Sequence, residues 1–321
     1  MIKIRFYGNV SGCPSAKSNT TSLSINYNGQ EYLFDCSEGT TRTMRQMKVS
    51  MFKISHIFIS HFHGDHFFGL TGLLSTIGFL GRERPMHIYC PMEDLEELKN
   101  YLNSAFKYLD PGYDIVVHGI ERHDQILFEN NDIEIRSYKV QHVVPSYGFV
   151  FKEKPKLNID KDKLKELGIG STPVLKELKK GKPIEINGKI VRPEDLLTKK
   201  REEISIFYSG DTIPLDYGQG FDVVIHEATF AKDNKDLAIE YGHSFAELVA
   251  KIAKKNRVKL LILTHFSQRY EKNKFKEIIN EAQEIFENVV PGIEGTEIHI
   301  EKRNNEINYR VENKFSQTSL F

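Results

Sequence analysis

The stretch Ile59-Ser60-His61-Phe62-His63-Gly64-Asp65-His66, "ISHFHGDH", sets three histidines and an aspartate within six residues, directly behind an apolar run. Packing gives a chain little reason to do this. Neutral imidazoles crowded together compete for partners and charged ones repel, whereas a bound cation resolves both problems. His61 and His63, two apart on an extended turn, point the same way, while Asp65 and His66 turn the other way into the next helix. That geometry suits two adjacent metal ions, and four residues cannot complete two sites of about four ligands each.

The missing ligands are to be sought at other strand ends. "HIFISH", "IEIRSYKVQH", "SIFYSGD", "VVIHEA" and "LLILTH" are short runs rich in Ile, Val, Phe and Tyr, each with a chemically useful polar residue at or next to its end. The candidates they supply are His142, Asp211 and His265, with Asp211 in "YSGDT" placed to bridge both ions. Helical patterns alternate with these strands. Leu70, Leu73, Leu74 and Ile77 share one face behind the histidine cluster, and a helix from about Met92 to Leu109 aligns Leu95, Leu98, Leu102, Ala105 and Leu109. A third helix begins at Ser244, where Ser-Phe-Ala-Glu reads as a capping box. Strands interleaved with helices, and functional residues at one edge of the sheets, predict a layered α/β (α+β) fold.

The 321 residues, 40% hydrophobic, predict one large domain over 1–321. Cys13, Cys36 and Cys90 are too scattered for a disulfide framework or a Cys-x-x-Cys zinc site, which fits a reducing cytosol. The start alternates like a strand, and no run approaches the roughly 18 apolar residues of a membrane span. A soluble, cytoplasmic protein with no membrane partner is expected. Acidic and basic residues balance at 44 each, yet residues 152–201 hold fifteen basic and eight acidic ones, so a basic appendage sits on an acidic body. Within it, "DKDKLKELG" and "PVLKELKKG" read as short helices ended by Gly168 and Gly181, and "PIEINGKIV" reads as a hairpin turning at Asn187-Gly188. "EIHIEKRNNEINYRV" reads as a final hairpin.

The His-x-His-x-Asp-His cluster, followed by His142, Asp211 and His265, resembles the metallo-β-lactamase superfamily, which implies an αββα sandwich with two zinc ions at one edge. "HEATF" at His226 to Phe230, "GHS" at Gly242 to Ser244, "THFSQRY" at Thr264 to Tyr270 and the insertion between His142 and Asp211 narrow the resemblance to the ribonuclease Z family, endonucleases that trim tRNA 3′ ends. Two departures stand out. The family's Pro-x-Lys-x-Arg-Asn loop is represented by Pro14-Ser-Ala-Lys17-Ser18-Asn19, and the Gly-Pro of its arm by Ser171-Thr172-Pro173.

The resemblance implies zinc, two ions per subunit: His61, His63, His142 and Asp211 on one, Asp65, His66, Asp211 and His265 on the other. Two cations about 3.5–4 Å apart lower the pKa of a water and clamp a phosphodiester. Asp65 is the candidate general base. By themselves, Glu227 and His243 read first as a strand-end surface acid and a residue ahead of a helix; the family's paired motifs reverse this and imply that Glu227 keeps His243 protonated to assist the leaving 3′-oxygen. The resemblance further implies precursor tRNA as substrate, a homodimer, and an arm at 152–201 whose Lys176, Lys179, Lys180 and Lys182 meet phosphates, with Lys17 and Asn19 near the 3′ end. The competing expectations are a hydrolase of small thioesters or phosphodiesters, and a binding protein without catalysis.

Overall fold

The computed structural model describes residues 1–155, 157–166, 168, 175–179, 182–186, 189–200, 202–273 and 275–315. Most of the described strands fall into two sheets. In the first, the order is Glu306–Asn313, Thr296–Arg303, Ile2–Gly8, Ser22–Tyr27, Gln30–Phe34, Ile54–Phe58, Met86–Pro91 and Ile115–Ile120. In the second it is Val289–Pro291, Leu260–Thr264, Val223–Glu227, Ser205–Tyr208, Tyr147–Glu153, Ile133–Lys139 and Ile126–Glu129.

Period-two alternation decides the layering. Phe58 and Ile262 turn inward to a core shared by both sheets, where Phe34, Phe58 and Phe149 interleave at ring separations of 5.2 to 5.6 Å. Their neighbours Ile57 and Leu261 turn outward, Ile57 beneath Leu70, Leu73, Leu74 and Ile77, and Leu261 beneath Val249, Ala253 and Ile278. Each sheet is therefore apolar on both faces and needs a helical layer outside it, which gives the αββα sandwich. Strands 205–208, 223–227 and 260–264 run parallel, as do 30–34, 54–58 and 86–91, so their C-terminal ends collect along sheet edges.

The pattern read for Met92 to Leu109 is shorter in the structure. A 3-10 turn at Met92–Asp94 leads into a helix over Leu95–Ala105, Ala105 is exposed, and Leu109 lies beyond the end. The chain turns off there to close against Gly78, where an added Cβ would lie 2.3 Å from the Pro111 carbonyl oxygen. The capping box at Ser244 does not form either. The Ser244 hydroxyl donates to Thr212 O at 2.7 Å instead, and the helix begins at Ala246 with Phe245 in an extended conformation before it. The final hairpin is present, turning at Asn304 and Asn305, both at positive φ.

Between Glu153 and Ser205 the chain pairs Leu157–Ile159 with Leu197–Lys200 and Ile184–Ile186 with Lys189–Val191, around helices Lys161–Glu166, Leu175–Lys179 and Pro193–Leu196. Leu175, Leu178, Ile184, Val191 and Leu196 form an apolar cluster of their own. Gly168, at φ +66°, follows the first of these helices in the left-handed conformation its position predicts. Gly181 and the Asn187-Gly188 turn lie outside the described residues. No described helix is long and apolar enough to cross a membrane, and Cys13, Cys36 and Cys90 are all free.

Candidate active site

The strand-end residues converge. His61 stands three residues past Phe58, His142 three past Lys139, Asp211 three past Tyr208, and His265 directly past Thr264. Asp65 and His66 come from the short helix Gly64–Phe67. His61 Nε2 lies 3.1 Å from His63 Nδ1, and His142 Nε2 lies 3.3 Å from the same atom. A second group joins His66 Nε2 and His265 Nε2 to Asp65 Oδ2, at 3.7 and 3.6 Å. Asp211 Oδ2 faces both groups, 3.7 Å from His61 Nε2 and 3.3 Å from both His66 Nε2 and His265 Nε2.

These spacings meet the requirement of a metal centre. A tetrahedral ion with ligands at about 2.0–2.1 Å holds them roughly 3.3–3.4 Å apart. His66 Nε2, His265 Nε2 and Asp211 Oδ1 are buried and lack hydrogen-bond partners among the described residues, a costly state that a shared cation relieves. The donors are imidazole nitrogens and carboxylate oxygens with no sulfur, a set suited to zinc and its neighbours.

Electrostatics point the same way. Burial, reinforced by neighbouring histidines, pushes His61, His63 and His142 below the ordinary imidazole range, which leaves them neutral. Burial also opposes charge on Asp211, but His265, His66 and His61 outweigh it and hold the carboxyl well below its usual range. Asp65 is held low in the same manner, chiefly by His66. The result is a buried, electron-rich pocket in which these groups stand in their ligating protonation states. His66, whose burial is outweighed by Asp211, Asp35 and Asp65, is instead held well above the ordinary imidazole range and gives up its proton when a cation binds.

Beside it, His243 Nδ1 lies 3.0 Å from Glu227 Oε1 and 3.8 Å from Asp211 Oδ2. Burial works against its charge, yet Glu227, followed by Asp211, raises its pKa to about 9. Glu227 is fixed in turn by Thr212 N at 3.0 Å and by the Thr229 hydroxyl at 2.7 Å.

A sequence model of the family described as Anti-Pycsar protein Apyc1 matches residues 2–168. Along most of its length the chain is 38% identical to the ribonuclease Z of Methanocaldococcus jannaschii, over 283 residues that cover 86% of this chain and 89% of that one. The chain belongs to the ribonuclease Z family. The ribonuclease Z of Methanococcus aeolicus is 39% identical over 295 residues, 89% of this chain and 91% of the relative. Among solved structures, the short form of human tRNase Z superimposes with a TM-score of 0.60 at 26% identity, covering 83% of this chain and 93% of that one. The metallo-beta-lactamase fold protein YhfI from Bacillus subtilis superimposes at 0.61 with 17% identity, over 90% and 95%, a likeness of fold alone. The two helix-flanked sheets are thus the metallo-β-lactamase fold in the form ribonuclease Z structures take.

Beyond the motif residues, the structure supplies supports that the sequence reading missed. Asp35, buried at φ +54°, accepts hydrogen bonds from Ser60 N at 2.8 Å and Tyr208 OH at 2.7 Å and faces His66 Nδ1 at 2.9 Å. The Thr229 hydroxyl meets His265 Nδ1 at 2.9 Å, and the Gly242 carbonyl meets His142 Nδ1 at 2.8 Å. "FDCSEG" after a strand was the available signal for Asp35.

The expected substrate contacts are placed less directly. The Asn19 amide nitrogen is engaged by Tyr7 O, Thr43 Oγ1 and Glu294 Oε1, so it braces its loop, while Lys17 is exposed. Lys182 is exposed, 3.8 Å from Glu177. Lys176 and Lys179 lie on the helix Leu175–Lys179 with undescribed side chains, and Lys180 lies outside the described residues.

Proposed function

We propose that the chain is a zinc-dependent endoribonuclease that removes the 3′ trailer of precursor tRNA and leaves a 3′-hydroxyl on the tRNA. The observation that carries this is the ribonuclease Z likeness at 38% identity over 86% of the chain. His61, His63, His142 and Asp211 would hold one zinc ion, and Asp65, His66, Asp211 and His265 the other. Bound there, the ions supply a water acidic enough to attack at neutral pH and relief of charge on the phosphate.

The chain's own residues complete the reaction. The Asp65 carboxylate, braced by the Gly12 amide at 2.7 Å from its Oδ2, takes the proton of the attacking water on its other oxygen. The water oxygen bonds to phosphorus as the bond from phosphorus to the 3′-oxygen breaks. His243, kept cationic by Glu227, gives its proton to that oxygen, which becomes the tRNA 3′-hydroxyl, and the phosphate leaves on the trailer.

The segment 152–201 serves as an arm that holds the tRNA body through phosphate contacts from Lys176, Lys179, Lys180 and Lys182, acting for the partner subunit of a homodimer. The rigid elbow of an L-shaped tRNA is too far from the metal site for one compact surface to hold both. Incubating purified protein with a precursor tRNA bearing a 3′ trailer, and separately with a thioester and a chromogenic phosphodiester, tests the reading. Cleavage at the mature 3′ end supports it, and thioester turnover with intact precursor would replace it.

A further inference from the structure

A cavity of about 420 Å³ opens beside the metal-binding cluster, between the loop at Gly12 and Pro14 and the helix that carries Asp65. Glu38, His63 and Phe68 complete much of its wall, and neither His243 nor Glu227 lines it. Phe68 is 59% exposed, whereas its neighbour Phe67 is buried and stacks on Phe62 at 4.0 Å. An exposed ring beside a catalytic cluster needs an explanation, and here the ring is held in place. Phe67 meets it at 5.0 Å and 65°, and Gly64 passes so close beneath it that an added Cβ would fall 2.1 Å from Phe68 Cε2. The ring is thus packed against Gly64 and Phe67, and much of it stays exposed in the wall of the cavity.

Glu38 is exposed on the same wall, and its carboxylate has no hydrogen bond or ion pair among the described residues. A carboxylate accepts hydrogen bonds and repels phosphate, so it suits the edge of a nucleobase and not the backbone. Chain polarity then fixes which nucleotide enters. If His243 protonates the leaving 3′-oxygen, the tRNA side of the cut lies toward His243, and the trailer departs along the Asp65 flank, where the cavity opens.

We propose that Phe68 and Glu38 form the subsite for the first nucleotide of the trailer, with its base stacked on the Phe68 ring and its edge read by the Glu38 carboxylate. This rests on the reading of the chain as a tRNA 3′ endonuclease. Aromatic stacking tolerates any base, so Phe68 supplies affinity. Glu38 supplies preference: adenine, cytosine and guanine offer exocyclic amine donors, while uracil presents two carbonyls that the carboxylate disfavours.

The test compares wild type, Phe68→Ala, Phe68→Trp and Glu38→Ala on precursor tRNAs whose first trailer nucleotide is each of the four bases or an abasic site. Phe68→Ala is expected to lower kcat/KM on base-bearing substrates about 5- to 150-fold. On the abasic substrate it should match wild type, and Phe68→Trp should restore cleavage of the others. Wild type should favour amine-bearing bases over uracil, and Glu38→Ala should level that preference. An equal loss on abasic and base-bearing substrates, or no loss at all, overturns the Phe68 assignment, and an unchanged base preference in Glu38→Ala overturns that of Glu38. If wild type cuts none of the precursors, the tRNA reading itself fails and takes the subsite with it.

Discussion

His66 presents Nδ1 to Asp35 Oδ2 at 2.9 Å and Nε2 to Asp211 Oδ2 at 3.3 Å, so one imidazole joins a buried carboxylate to the metal-binding cluster. Asp35 fixes the ring's orientation and tautomer and increases its basicity. Replacing Asp35 with Asn, which keeps the volume, should weaken zinc affinity by roughly 10- to 100-fold. Titrating apo-protein with zinc against a competing chelator measures this, and unchanged affinity would make Asp35 a packing residue only.

His63→Ala and Asp211→Ala should each lose bound metal and cleavage together. His63 is a shared neighbour of His61 and His142, and Asp211 faces both halves of the cluster. Circular dichroism should stay close to that of wild type, because the two sheets pack without these side chains. Two zinc ions per chain with normal turnover in either variant would contradict the ligand assignment.

His243→Ala should retain metal while cleavage falls on the order of a hundredfold or more. Zinc loss or normal turnover would count against the acid role. Its pH dependence carries a sign. A histidine raised to about 9 is protonated below that value, so activity should decline as pH rises through it. Bound cations lower this limb, and the readout is therefore the difference between two proteins. In Glu227→Gln the main charge holding the proton is gone, and the alkaline limb of kcat should move toward the ordinary imidazole range near 6.5. Coincident limbs would separate Glu227 from His243.

Deleting residues 156–199 should raise KM for precursor tRNA severely and leave hydrolysis of a small chromogenic phosphodiester nearly intact. The intact protein should bind tRNA less tightly as salt rises, as expected when lysines meet phosphates. Equal impairment of both substrates would point to a lid or to misfolding, and impairment of neither would make the basic excess a solvated surface.

What the sequence disclosed followed from local rules. Strand runs ending in His142, Asp211 and His265 were readable because alternation and chain polarity place strand ends at sheet edges. Leu70, Leu73, Leu74 and Ile77 were readable because one helix face needs one core, and all four are buried. What escaped depends on contacts between distant segments. Asp35 acquires its role only because Gln30–Phe34 lies parallel beside Ile54–Phe58, which brings it against Ser60 and His66. Ser244 carries a sound capping pattern, yet Thr212 offers its hydroxyl a competing acceptor from 32 residues away. Asn19, expected near substrate, is claimed by Glu294, Thr43 and Tyr7.

The cluster draws on chain positions from His61 to His265 and on both sheets. Any polypeptide interrupted before that last histidine therefore lacks part of this cluster, however well its earlier strands have paired. A cluster assembled from both sheets comes together only when the second sheet has closed over the first, so its formation marks completion of the fold.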